Sequence, residues 1–201
     1  MSAPRVAVVP VGRIDVAEVE AALGRVAKVL HAPVELRAAA TLPRGTEDVA
    51  RGQHDAVALL KALRQELPRL GIAKVVGADL AAPEAKPATP ADAIVFVTDV
   101  DLFTPSTDAV MAEIEVPHRA ALVSVRRLKE AFHRRKADPA KQRSRLVKEI
   151  LRAAARIRGL PECSNEDCAL APTRAVMDLD RKSEHYCAPC WKRLSTGTLR
   201  I

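Results

Sequence analysis

Lys148-Glu149-Ile150-Leu151-Arg152-Ala153-Ala154-Ala155-Arg156-Ile157-Arg158-Gly159-Leu160-Pro161-Glu162-Cys163 is the stretch from which the fold is read. It closes a long helical segment expected from about Arg127 to Arg158, with Pro139 as a candidate break. Gly159 followed by Pro161 stops that helix, as a Gly C-cap with a Pro just beyond it does. Arg152 and Arg156 fall one turn apart on a single helical face. Cys163 then opens a segment of different character, loop-rich and carrying all four cysteines.

Upstream, helices and strands alternate. Val6-Ala7-Val8-Val9-Pro10 reads as a buried first strand, with Pro10 suited to a strand end. Asp15 is placed to N-cap a helix to about Leu30, since Val19, Leu23, Val26 and Leu30 recur at helical spacing. A short strand follows at Val34–Leu36, then a turn at Arg44–Glu47. A second helix is expected from Asp48 or Gln53, with Ala56, Leu59, Leu60 and Leu63 on one face and Pro68 and Gly71 ending it. Lys74–Val76 begins another strand, and Ala81–Ala91 is a Pro- and Ala-rich loop. Ile94–Val97 and Ala121–Val125 are buried strands. The pattern predicts an α/β (α+β) sheet domain over 1–158 and a loop-rich zinc-binding subdomain over 159–201.

The cysteines read C-x4-C, then eighteen residues, then C-x2-C: Cys163, Cys168, Cys187 and Cys190. Two close pairs separated by a loop build a tetrahedral four-thiolate site. Four soft sulfurs favour zinc, less often iron, and a site closed by four protein ligands is structural. Two disulfides and a C-x2-C redox pair are the other readings. The first conflicts with the absence of a signal peptide; the second lacks a thioredoxin-like unit around it. Val6–Val11 is too short for a membrane span, so a cytoplasmic protein without membrane attachment is expected.

The 201 residues carry a net charge of +7, unevenly spread. Between Arg126 and Arg158, 13 Lys and Arg face Glu130, Asp138 and Glu149, a local +10 that leaves the remainder at −3. Such a stretch suits nucleic acid, a membrane surface or an acidic partner. Aromatic side chains are nearly absent from it, which favours a solvated helix face instead.

The stretch quoted at the outset resembles the active-site region of the archaemetzincins, zinc metallopeptidases whose motif is H-E-x-x-H-x-x-G-x-x-H-C-x4-C-x-M with a C-x2-C pair further on. Gly159 and the four cysteines fall into that frame, and Lys148-Glu149 matches its lead-in. Arg51-Gly52-Gln53-His54-Asp55 with Leu59-Leu60, Val97–Phe103, and Leu122–Leu128 resemble the family's early helix, its strand with a D-L-[FY] turn, and the strand before the active-site helix. The resemblance implies a metzincin-like mixed twisted sheet with packed helices.

The same resemblance locates the departures. Arg152 stands where the family has its first histidine, Ala153 at the general-base glutamate, Arg156 at the second histidine, Glu162 at the third and Leu170 at the methionine. The family chemistry needs three imidazoles to hold a metal and a carboxylate to take a proton from its water. Guanidinium stays protonated and cannot ligate zinc; alanine takes no proton. The implied protein has no catalytic residues and no catalytic zinc, keeps one structural Zn2+, and has a binding or regulatory role toward a protein or peptide. Arg152, Arg156 and Glu162 would form a charge-paired plug, bind an anion such as a peptide C-terminus or phosphate, or lie solvated. A metallopeptidase using an unrecognised site, for which Asp99/Asp101 and Glu113/Glu115 offer carboxylates, is a second reading. A nucleic-acid-binding protein using residues 126–158 is a third. His31, His54, His118, His133 and His185 show no ligand spacing.

Overall fold

The computed structural model describes residues 5–70 and 93–196. The strand expected at Lys74–Val76 and the loop at Ala81–Ala91 lie outside the described residues. In chain order the elements are β1 (Val6–Val11), α1 (Val16–Leu30), β2 (Val34–Leu36), β3 (Glu47–Asp48), β4 (Gln53–Asp55), α2 (Ala56–Gln65), β5 (Ala93–Thr98), β6 (Leu102–Thr104), β7 (Thr107–Val110), β8 (Ala112–Glu115), β9 (Ala120–Ser124), α3 (Pro139–Ile157), α4 (Val176–Arg181) and α5 (Ala188–Thr196). Two short 3-10 turns, Arg126–Leu128 and Glu130–His133, join β9 to α3.

The main sheet has the order β2-β1-β5-β9-β8. Its first four strands are parallel, and β8 pairs antiparallel with β9 at the edge. The central strands read as unbroken apolar runs because both faces are covered. Val6 and Val8, Ala93, Val95 and Val97, and Ala121 and Val123 face the core shared with α1 and α3. Ala7, Val9 and Val11, Ile94 and Phe96, and Ala120 and Leu122 face the core filled by Ala56, Leu59, Leu60 and Leu63 of α2. Successive residues of a strand point to opposite sides, which sorts each run between two cores. A smaller sheet, β3-β4-β6-β7, lies beside the main one in sequence. The mixed α/β architecture is the one expected.

Two expectations need correcting. The second helix starts at Ala56 rather than Asp48 or Gln53: Asp55 caps it by accepting from the N–H groups of Val57 and Ala58, and Gln53–Asp55 is strand. The long basic segment breaks at the candidate Pro139: the part from Arg127 forms short 3-10 turns, and the α-helix starts at Pro139. Asp138 accepts from the N–H of Lys141 and Pro139 occupies the first turn, where its missing N–H costs nothing. The C-terminal stretch, expected to be loop-rich, carries two short helices, α4 and α5. α1 is capped by Asp15 as expected and buries Val19, Leu23, Val26 and Leu30.

One buried ion cluster anchors the start of α3. Arg145 is wholly buried, with Nε and Nη2 donating to Asp180 at 2.8 and 2.7 Å and Nη1 to the Leu128 carbonyl at 2.7 Å. Glu130 pairs with the same guanidinium and with Arg135 and Lys141. Burial pushes the Glu130 and Asp180 carboxyls up, but hydrogen bonds from Arg145 and Lys141 override it and hold both below the usual range. Arg145→Ala should cost about 3–5 kcal/mol in urea unfolding at neutral pH. Both depressed carboxyls bind more protons when unfolded, so this stability is present above the unfolded carboxyl range and lost as pH falls. The difference between the variant and the parent should narrow below about pH 4.

Candidate metal centre and the adjoining charge cluster

The Sγ atoms of Cys163, Cys168, Cys187 and Cys190 all lie within 4.8 Å of one another. Those of Cys163 and Cys187 are 3.7 Å apart. Zinc–sulfur bonds of about 2.3 Å in a tetrahedron put sulfurs about 3.8 Å apart, so the cradle has the size of one ion. Local folding explains the convergence. The Cys163 N–H donates to the Leu170 carbonyl and the Cys168 N–H to the Asn165 carbonyl, which curls the C-x4-C loop. The Cys168 sulfur accepts from the N–H groups of Leu170 and Cys187 at 3.4 and 3.3 Å, an arrangement suited to a thiolate. Cys190 sits in the first turn of α5, just after Cys187. Burial pushes the Cys168 and Cys190 thiols up. A divalent cation among them would supply the opposite effect, since a coordinating thiol is deprotonated outright. The four cysteines are positioned to bind one metal ion, and their chemistry selects zinc.

This cradle is seated on the main core. Cys168, Leu170, Leu179, Tyr186, Cys190 and Leu194 are buried in the same cluster as Ile150, Leu151 and Ala154 of α3. The Tyr186 hydroxyl donates to the Leu151 carbonyl at 2.6 Å.

Directly before Cys163, the chain doubles back on α3. Gly159, at φ 84°, adopts the left-handed conformation, and the Leu160 N–H donates to the Ala155 carbonyl. That reversal returns Glu162 to the helix. Arg152 Nη2 donates to Glu162 Oε1 at 2.6 Å, and its Nη1 lies 3.5 Å from Glu149 Oε2. Glu149 is fully buried, and its other oxygen accepts from the Thr173 hydroxyl. Lys182, 3% exposed, donates to that hydroxyl and to the Ala171 carbonyl. Arg156 Nη1 donates to the Leu160 carbonyl at 2.6 Å. Ala153 is fully buried. A continuous chain therefore runs Lys182–Thr173–Glu149–Arg152–Glu162.

Its electrostatics are mutually supporting. Burial pulls the Arg152 guanidinium down, but Glu149 and Glu162 more than offset this. Burial pushes the Glu162 carboxyl up, yet the bond from Arg152 holds it below the usual range. Burial pulls Lys182 down to about 8, against the opposing pull of Glu149. Glu162 is committed to Arg152 and offers no free ligand set. Glu149, Thr173 and Lys182 escaped the sequence reading. The one signal for them was Glu149 three residues before Arg152, on the same helical face.

The other candidates are dispersed. Asp101 accepts from Arg127 and Gln53, and Glu115 pairs with Arg64. Glu113 is pushed up by burial and by Glu115 and Asp55. His54 bonds Thr46, His133 bonds the Arg127 carbonyl, and His31 packs on Trp191. Among the described residues, the cysteine quartet is the one His, Cys, Asp or Glu cluster able to converge on an ion. No described helix is long and apolar enough to cross a membrane.

A mixed sheet with a long helix leading through a glycine turn into a metal-binding loop defines the class: a metzincin-like α/β fold. The model of peptidase family M54 matches residues 90–196, more than half of the chain. The chain belongs to that family, in agreement with the archaemetzincin resemblance. The archaemetzincin of Methanocaldococcus jannaschii is 28% identical over 110 residues, covering 55% of this chain and 62% of that protein. The archaemetzincin of Aeropyrum pernix is 32% identical over 101 residues, covering 50% and 52%. The chain thus spans between about half and three-fifths of the length of the curated relatives it matches. Among solved structures, a zinc-dependent peptidase from Methanocorpusculum labreanum superposes with a TM-score of 0.79 at 26% identity, over 94% of this chain and 99% of that one. The archaemetzincin of Methanopyrus kandleri gives 0.74 at 25%, over 98% and 96%.

Replacing Cys187 by Ser should lower both the bound zinc, measured by elemental analysis, and the urea midpoint. The full metal contribution in small zinc modules is on the order of 10 kcal/mol, an upper bound here because the cradle shares the main core.

Proposed function

We propose that this chain is a non-catalytic member of its peptidase family, which keeps the structural metal and has a binding or regulatory role. The observation that carries this reading is the Arg152–Glu162 ion pair, backed by Glu149. It occupies the helix face and turn from which, by the family resemblance, the catalytic ligands would come. A guanidinium there repels a cation, and Glu162 is neutralised by it. Of the three arrangements open from sequence, the charge-paired plug agrees best with this geometry. The structural neighbour from Methanocorpusculum labreanum is a zinc-dependent peptidase; the reading here differs because Arg152, Ala153 and Arg156 supply neither a ligand nor a base.

Metal content is the direct test. Protein purified in zinc should carry one ion per chain, and two would overturn the reading. The combined variant Arg152→His/Ala153→Glu/Arg156→His/Glu162→His should bind a second zinc. If it still binds one, the residue correspondence is wrong.

The plug itself is tested by Arg152→Ala. Removing the cation leaves Glu149 buried without its charge partner, at a cost of about 3–5 kcal/mol in urea unfolding. A change within about 0.5 kcal/mol would mean a solvated face instead.

A further inference from the structure

The structure divides the basic stretch into two parts with different fates. In α3 most cations are used internally: Arg145 and Lys148 are buried, Lys141 pairs with Glu130 and Asp180, and Arg152 and Arg156 are bonded within the cluster described above; Arg143 alone is half-buried without an ion pair among the described residues. The connection between β9 and α3 is the reverse. Arg126, Arg134, Arg135 and Lys136 are exposed and Lys129 half-exposed. Of these five, Arg135 pairs with Glu130; Arg126, Lys129, Arg134 and Lys136 form no ion pair among the described residues. The acids here are turned to structural tasks. Glu130 is 6% exposed and held by Arg135, Lys141 and Arg145, and Asp138 caps α3.

This connection also carries an aromatic platform. Phe132 is 38% exposed. Its ring lies 4.8 Å from the Arg127 guanidinium carbon on one face and packs edge-on against His133. The platform is held rigidly. Arg127 is bound through two nitrogens to Asp101, and His133 Nε2 is 2.9 Å from the Arg127 carbonyl. The Arg134 and Arg135 N–H groups donate back to Ala131 and Glu130. Four exposed or half-exposed cations without ion pairs among the described residues therefore share this short connection with an exposed ring supported by Arg127 and His133.

We propose that residues 126–136 form a binding surface for single-stranded nucleic acid, with Phe132 stacking on a base and Arg126, Lys129, Arg134 and Lys136 contacting phosphates. Single-strand binders combine these two elements, a cationic track and aromatic stacking. The two short turns offer neither a helix nor a two-stranded ribbon to enter a duplex groove. This inference does not rest on the absence of peptidase activity.

Fluorescence anisotropy of labelled oligouridylate and oligothymidylate, titrated with the full chain over a range of salt concentrations, tests it. Four phosphate contacts to a single strand predict a slope of about −3 for log affinity against log salt. Each of Arg126→Ala, Lys129→Ala, Arg134→Ala and Lys136→Ala should reduce that slope by about 0.7. Phe132→Ala should weaken binding on the order of tenfold with the slope unchanged, and Phe132→Trp should retain it. Thermal unfolding of each variant confirms that it remains folded. Absence of binding at low salt overturns the proposal, as does parent-like binding by the quadruple cation variant. Polyglutamate competing as well as oligonucleotide, with Phe132→Ala without effect, would assign the surface to an acidic polypeptide and also overturn it.

Discussion

A carboxyl group with no exposure to water has to find its partners inside the protein. Glu149 is such a group, in the middle of α3, and the arrangement around it follows from that need. Thr173 satisfies one oxygen and Arg152 supplies the opposite charge. Each partner is then committed further: Arg152 to Glu162 beyond the Gly159 turn, and Thr173 to Lys182 just past α4. A single buried acid thus ties together the helix, the turn after it, the stretch after the cysteine loop, and the end of α4. Charges alternate along the chain, so no member is left buried without an opposite neighbour.

The cysteine cradle and this chain are mechanically linked. Glu162 precedes Cys163, so the metal loop and the ion pair share one backbone segment. On the other side, Ala171 and Thr173 follow closely on Cys168 and Leu170, and both receive Lys182. Gathering the four sulfurs around one ion holds both ends of the polar chain. Conversely, the polar chain and the Tyr186 bond to α3 keep the loop on the main core. Under the reading proposed here, the retained metal stabilises a surface whose former chemistry has been replaced by paired charge.

Much of this was legible in the residues, and the division has physical causes. β1, β5 and β9 could be read because doubly covered parallel strands are continuous apolar runs, and α1 because its buried residues repeat at helical spacing. The cysteine cradle followed from spacing alone. The short strands β3, β4, β6 and β7 were not seen, since two to four residues give too little alternation to register. Asp55 was hidden as a cap because Asp48 and Gln53 were equally plausible starts by local pattern. Of the groups around Glu149, only Arg152 was signalled by spacing; Thr173, and Lys182 behind it, are distant in sequence, and only the folded loop brings them together.

The basic stretch shows why linear charge counting misleads. Thirteen cations in sequence suggest one field, but burial assigns them to different work. Arg145 and Lys148 act as internal donors to carbonyls and carboxyls and contribute little to the surface potential. Before Pro139, Arg127 is held by Asp101 and Arg135 by Glu130, whereas Arg126, Lys129, Arg134 and Lys136 form no ion pair among the described residues, since Glu130 faces inward and Asp138 is used as a cap. Pro139 marks the boundary: it occupies the first turn of α3, which Asp138 caps. Within this stretch, the exposed cations without ion pairs therefore lie mainly on the short connection ahead of α3, which also carries the exposed Phe132. Aromatic scarcity over the whole stretch argued against nucleic acid in sequence; the proposed surface answers it with Phe132, whose supported ring lies on the same connection as the exposed cations.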